Sequence, residues 1–146
     1  MTLELAPVHA ADFEALLALR IAAMRESLQR LGRFDPERAR ARFLASFAPE
    51  FTRHVLLEAQ RVGFLTVTPD AGSLLLDHLY IHPDHQGRGL GALLLQRVFA
   101  EADAAGLELR VGALKESASN RFYLRYGFVV LHETEWDVHY VRRRGP

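Results

Sequence analysis

Gln86-Gly87-Arg88-Gly89-Leu90-Gly91-Ala92 is the stretch on which the reading of this chain turns. Its closely spaced glycines are poor helix formers. Yet Leu90, Leu93, Leu94, Val98 and Ala102 recur at the steps of a helix with a wide buried face. Just upstream, Ser73 to Ile81 reads as a strand, followed by a loop from His82 to Arg88. The glycines thus stand at a strand-to-helix junction. There the unpaired N–H groups of the first helical turn and the helix dipole attract phosphate, and a β-carbon would hold a phosphate away. The stretch is read as the site that grips the pyrophosphate of a coenzyme.

The rest of the chain supplies a frame for that loop. Phe13, Leu16, Leu17, Ile21, Met24 and Leu28 predict a first helix from Asp12. Gly32 interrupts it, and Asp35-Pro36 gives the N-cap and first position of a second helix carrying Ala39, Phe43, Leu44 and Phe47, ended by Pro49. His54 to Glu58 and Val62 to Thr68 predict a hairpin, and Pro69-Asp70-Ala71-Gly72 a turn into the Ser73 to Ile81 strand, so these strands form a meander. Gly106 stops the central helix. Leu107 to Leu114 reads as a strand, Ser119 to Tyr126 as a short helix capped by Gly127, and Phe128 to Leu131 with Trp136 to Val141 as two closing strands. With no repeat or linker, residues 1–146 are expected to form a single domain.

Composition narrows the function. About half the chain is apolar, enough for a full core, and lysine plus arginine equals aspartate plus glutamate at 18 each. That balance lacks the basic footprint of a nucleic-acid binder, and Arg142-Arg143-Arg144 reads as a solvated tail. The absence of cysteine excludes disulfides, thiolate metal sites and a cysteinyl intermediate. No apolar run approaches the roughly 18 residues of a membrane span, and Met1 to Ala10 lacks the regions of a signal peptide, so the expected address is cytoplasmic. His78, His82 and His85 invite a metal reading, but they are divided between strand and loop, and none is expected to hold one.

Two coenzyme families fit the loop. Gly87, Gly89 and Ala92 match G-x-G-x-x-A of dinucleotide-binding oxidoreductases, but His82 to Gln86 intervene after the strand. Lys115 also stands where a ribose-binding acid belongs. The fuller match is to the pattern Q/R-x-x-G-x-G/A, met by Gln86, Gly89 and Gly91. Leu79-Tyr80-Ile81-His82-Pro83-Asp84 before the loop and Phe122-Tyr123-Leu124-Arg125-Tyr126-Gly127-Phe128 after it complete three motifs in order. In these the chain resembles the GNAT superfamily of N-acetyltransferases. The resemblance covers Ser73 to Val129 and implies an α+β fold: a mixed, mostly antiparallel twisted sheet flanked by helices. It also implies acetyl-CoA as co-substrate, contacted by Leu79, Tyr80, Ile81 and by Gln86, Gly87, Arg88, Gly89, Leu90, Gly91 and Ala92, with Tyr123 at the thiol end. Relatives often carry an asparagine before the tyrosine to meet the pantetheine arm. Glu116 and Ser117 occupy those positions here, which leaves Ser117 and Asn120 as candidates for the contact.

Acetyl transfer to an amine needs a bound thioester, a free amine, donors for the oxyanion and a proton for the thiolate. A phenol with a pKa near 10 stays protonated at neutral pH, and Tyr123, matching the family's tyrosine, is the expected general acid. Tyr126, beside Gly127, is expected to serve packing. Asp77 is the expected general base, directly or through water, where relatives often carry glutamate; His78 is the alternative. By resemblance, backbone N–H near Ile81 meets the oxyanion where the family's strand bulges. Without cysteine, transfer to a primary amine should be direct, in a ternary complex. A catalytically silent acyl-CoA sensor is the alternative, ahead of an oxidoreductase. The acceptor site is implied between the first helix pair and the last hairpin, where Glu133, Glu135 and Asp137 are either contacts for a cationic substrate or solvated turn residues. A homodimer through the terminal strands is left open.

Overall fold

The computed structural model describes residues 2–143; Arg144 of the terminal arginine run lies outside them. Its elements run β1 (Leu3–Pro7), α1 (Phe13–Arg30), α2 (Pro36–Ser46), β2 (Thr52–Leu57), β3 (Gln60–Asp70), β4 (Ser73–Ile81), α3 (Leu90–Ala105), β5 (Glu108–Leu114), α4 (Ser119–Arg125), β6 (Val129–Glu133) and β7 (Asp137–Arg142). The strands form one mixed sheet in the order β1-β2-β3-β4-β5-β7-β6. Only β4 with β5 is parallel among the pairs whose register is resolved; β1–β2, β2–β3, β5–β7 and β6–β7 are antiparallel. This is the expected α+β class.

The chain divides into two compact units, and it passes between them along β3, along β4 and at the start of α3. One unit holds the residues up to Thr66 together with His78–Gly91. Its core is Val8, Leu16, Leu17, Leu19, Phe43 and Phe64, with Phe13, Ile21, Phe47 and Tyr80 packed against it. Phe43 is the hub, within 5.2 to 5.7 Å of Phe13, Phe47 and Phe64 by ring centroids. Asp35 caps α2 by accepting from Arg38 N–H at 3.1 Å, as Asp35-Pro36 predicts. The other unit holds Val67–Asp77 and the chain from Ala92 onward. There Val98, Phe99, Leu109, Val111, Tyr123, Phe128, Tyr140 and Val141 are buried. Gly106 (φ +70°) and Gly127 (φ +95°) take the left-handed conformation that ends a helix.

Several expectations need correction. Strand β1 has no counterpart in the sequence reading. It is a five-residue edge strand paired from Leu3↔Leu57 to Pro7↔Arg53, too short for period-2 alternation to stand out. Pro69 and Asp70 do not form the turn; β3 runs through both, and Ala71 (φ +45°) with Gly72 (φ +87°) makes a two-residue hairpin turn. Leu44 and Leu93, assigned to buried stripes, are 61% and 44% exposed. In α1 the buried positions are Leu16, Leu17 and Leu19, while Met24 and Leu28 are only half-buried. The helix α2 ends at Ser46, and Pro49 opens a short 3₁₀ turn instead of stopping the helix itself. In the last hairpin Trp136 precedes β7 and is 43% exposed.

Candidate active site

The glycine loop is held open from below. Gln86 Nε2 donates to the carbonyl of Ile81 at 2.8 Å, so its side chain ties the loop back to the end of β4. His82 Nδ1 accepts from Asp84 N–H at 3.1 Å and caps the short 3₁₀ turn Pro83–His85. Gly87 (φ +79°) and Gly89 (φ +78°) both lie in the left-handed region, and a β-carbon on either would point into open space. Backbone conformation therefore demands glycine at both positions, and the ground above them is clear for a ligand. The helix follows at once: Leu90 is buried at 2% exposure and anchors the first turn, while Gly87, Arg88 and Gly89 stay exposed. The first N–H groups of α3 have no intrahelical partner by construction.

Strand β4 is irregular just before this loop. Counted outward from the Ala71–Gly72 turn, the carbonyl of Val62 would face Ile81. It accepts from the N–H of His82 at 2.8 Å, so β4 gains one residue on β3 by His82, a β-bulge, and Val62 is likewise passed over in the pairing of β3 with β2. Gly63 makes room for the bulge. A β-carbon there would overlap the carbonyl oxygen of Tyr80 and stand 2.9 Å from Ile81 Cδ1. Sequence reading passed over Gly63, whose only signal was a glycine inside a strand.

Side chains on β4 alternate between faces. His78 is buried on the face of α2, with ring centroids 5.4 Å from Phe43, 6.1 Å from Phe64 and 5.8 Å from Tyr80. Its Nε2 lies 3.2 Å from Ser46 Oγ. Asp77, the next residue back along the pleat, is half-buried and belongs by alternation to the opposite face with Leu79.

Tyr123 is 5% exposed, its ring edge-on to Phe128 at 5.3 Å and 6.1 Å from Tyr140. Tyr126 packs edge-on to Phe122 at 5.2 Å. Asn120 acts as a brace: its Nδ2 donates to the carbonyls of Leu114 at 2.9 Å and Ser117 at 3.0 Å, and its Oδ1 accepts from the hydroxyl of Tyr140 at 2.7 Å. Burial, and then the charge of Glu133, push the Tyr140 phenol above its ordinary pKa, which keeps it a donor to Asn120. Both amide donors of Asn120 are thus engaged internally. Ser117 and Asn120 both line a cleft of about 440 Å³, with Lys115, Glu116 and Arg121. Of the hairpin acids, Glu133 lies 3.6 Å from Lys115, and Asp137 N–H bonds Thr134 Oγ1 at 3.2 Å in the turn. Among the described residues no group of three or more His, Asp or Glu is placed to hold a metal.

Residues 50–130, more than half the chain, match the acetyltransferase (GNAT) domain family. The chain belongs to the GNAT family. Its likeness to solved GNAT structures runs nearly end to end. With a PaiA N-acetyltransferase from Thermoplasma acidophilum, solved in complex with coenzyme A, it shares a TM-score of 0.80 at 17% identity, over 98% of this chain and 99% of that one. With an acetyltransferase from Thermus thermophilus the TM-score is 0.72 at 26% identity, over 97% of each. It is 43% identical over 54 residues to the L-amino acid N-acyltransferase MnaT of Escherichia coli, which is 36% of this chain and 31% of that protein. The chain thus spans about a third of the length of the curated relatives it matches.

Within this GNAT chain, sequence reasoning also missed a polar chain beside α1, centred on the buried His54. Arg61 Nε donates to His54 Nδ1 at 3.2 Å, which fixes the tautomer, so His54 Nε2 carries the proton toward Asp12 Oδ2 at 3.2 Å. Asp12 Oδ2 also accepts from His9 N–H at 2.9 Å. That backbone bond, with His54 and Arg61 adding to it against a smaller desolvation effect, lowers the Asp12 carboxyl below its ordinary pKa. No helix among the described residues is long and apolar enough to cross a membrane.

Proposed function

We propose that this chain works as a single acetyltransferase domain that moves an acetyl group from acetyl-CoA to a primary amine, by direct transfer in a ternary complex. The observation that carries the reading is the junction of β4 and α3. A strand end whose register slips before His82 leads through two left-handed glycines into a helix N-terminus. In this reading the N–H groups of Gly87 to Ala92 take the pyrophosphate, where helix dipole and bare donors favour negative charge. Backbone groups of Leu79, Tyr80 and Ile81 face the pantetheine arm and thioester, and the Ile81 N–H stabilises the oxyanion. Ser117 and Asn120 line the same cleft, but the amide donors of Asn120 are bonded to Leu114 and Ser117, which leaves Ser117 for a further contact with the arm. Tyr123 protonates the departing thiolate, and Asp77, directly or through water, takes the proton of the amine. The chain has no cysteine, so no thioester to the protein precedes transfer.

The test is acetyl-CoA-dependent thiol release across a panel of amines, made with Tyr123→Phe, Tyr126→Phe and Asp77→Asn. General acid help is typically worth about 10²–10⁴. Tyr123→Phe should therefore lower turnover about 10²-fold or more and leave coenzyme affinity within a few-fold, while Tyr126→Phe changes neither. Asp77→Asn should slow the reaction chiefly at low pH, where the amine needs a base. Full turnover by Tyr123→Phe under conditions where chemistry is rate-limiting would remove the acid assignment. Binding of CoA with no thiol release from any amine would favour the acyl-CoA sensor instead.

A further inference from the structure

We propose that Arg20 reads a carboxylate on the acceptor, so that the amines this chain acetylates are amino acids and not simple cationic amines. This rests on the acetyltransferase reading above and names the substrate class of that site. Arg20 extends from α1 with its guanidinium carbon 6.0 Å from the ring centroid of Phe43 and 5.8 Å from that of Tyr80. Its Nε is buried and has no hydrogen-bond partner among the described residues. The carboxylates at the start of α1 are committed elsewhere: Glu14 pairs with Arg40, and Asp12 with His54 and Arg61. A guanidinium carries a rigid fork of donors that cannot be neutralised by losing a proton. A buried donor left without an acceptor weakens the fold, and two aromatic faces at the outer limit of cation–π range offset this only in part.

Place decides which anion completes the arrangement. The Tyr80 ring by Arg20 belongs to the residue next to Ile81, where the thioester carbonyl is expected. The phosphates of the coenzyme are gripped at the other end of the loop, from Gly87 to Ala92, and its pantetheine arm carries no charge. The anion beside Arg20 therefore belongs to the second substrate. It lies a few bonds from the amine that attacks the thioester. A carboxylate suits the planar fork, taking two parallel charge-assisted hydrogen bonds. Such a clamp fixes the acceptor's orientation as well as its affinity. Arg20 as a whole is only half-buried, so its outer edge stays within reach of a ligand.

The experiment compares α-amino acids with their carboxamides and with the amines left by decarboxylation, using wild type, Arg20→Gln and Arg20→Lys and reading acetyl-CoA-dependent thiol release. Wild type should favour each carboxylate by about 10²-fold or more in kcat/KM, since a site built around a hydrogen-bonded group discriminates strongly against its absence. Arg20→Gln should erase that preference by raising KM for the acids, with the rate on the amides unchanged within a few-fold. Arg20→Lys, a point charge without the fork, should recover only part of it. A CoA-induced rise in Tm equal to wild type shows that the variants fold and keep the coenzyme site. Equal rates on acids and amides by wild type, or a preference that survives Arg20→Gln, would overturn the proposal. Thiol release with none of the amines would overturn it too, and the CoA-induced Tm rise then reports separately whether the coenzyme reading stands.

Discussion

Replacing Gly63 by alanine is the most direct test of how the strand end is built. A β-carbon at position 63 has nowhere to go: it overlaps the Tyr80 carbonyl oxygen, which is backbone, and reaches within 2.9 Å of Ile81 Cδ1. The Ile81 side chain can turn aside, but the carbonyl moves only if β4 moves. Overpacking of this kind costs about 1–3 kcal/mol, or roughly 2–12 °C in Tm for a domain of this size. The effect on rate should exceed the effect on stability, because a displacement on the order of 1 Å at the bulge shifts the expected oxyanion donor and can cost about 10²-fold. Gly112 serves as the control. A β-carbon there meets His139 Nδ1 at 3.4 Å, an ordinary contact, and alanine suits a strand better than glycine. The assay is a thermal scan of Gly63→Ala and Gly112→Ala with turnover measured at a temperature where both are folded. Gly63→Ala with a Tm and turnover matching Gly112→Ala would refute the view that Gly63 sets the bulge.

Gly89→Glu should abolish the rise in Tm caused by CoA, by setting a carboxylate against the pyrophosphate, whereas Gly72→Glu, at the similar φ of +87°, should lose comparable stability yet keep the CoA response. Equal CoA-induced shifts in the two variants, measured by thermal scanning, would exclude the phosphate role. Asp12→Asn should lower stability by about 1 kcal/mol at neutral pH through weaker bonds to His9 and His54. Because the folded carboxyl is lowered relative to the unfolded one, its contribution is fully present above about pH 4 and is lost as pH falls through the folded value. Denaturant curves for wild type and variant should therefore converge in acid, and a gap that persists there would contradict the linkage.

How far the fold was legible depends on whether the signal was local. Asp35-Pro36, Gly106 and Gly127 specify helix ends through their own dihedrals and side chains, and the structure uses each as expected. Strand β1 was hidden because five residues ending in Pro7 carry too little alternation. Proline also misled at Pro69, where β3 tolerates it and the positive φ of Ala71 and Gly72 makes the turn. The strand–glycine–helix junction could be read because it rests on consecutive residues, and Gly87 and Gly89 take the positive φ that only glycine tolerates easily. Gly63 against Tyr80, Asn120 against Tyr140, and the Arg61–His54–Asp12 chain could not, since each depends on partners brought together only by the sheet.

The two faces of β4 constrain the chemistry proposed for it. If Arg20 anchors the acceptor, the amine approaches from the face of Tyr80 and His78. Asp77 belongs to the other face by alternation, so within the proposed mechanism the water-linked form of its base role fits better than direct contact. A relay of this kind also suits the chemistry: a carboxylate is a weak base toward an ammonium, and an intervening water lets the proton leave without bringing the two into contact. His78 stands on the acceptor's face but is packed among Phe43, Phe64 and Tyr80 and held against Ser46. Under the proposed mechanism, His78 then shapes the acceptor side and the base role rests with a water-linked Asp77.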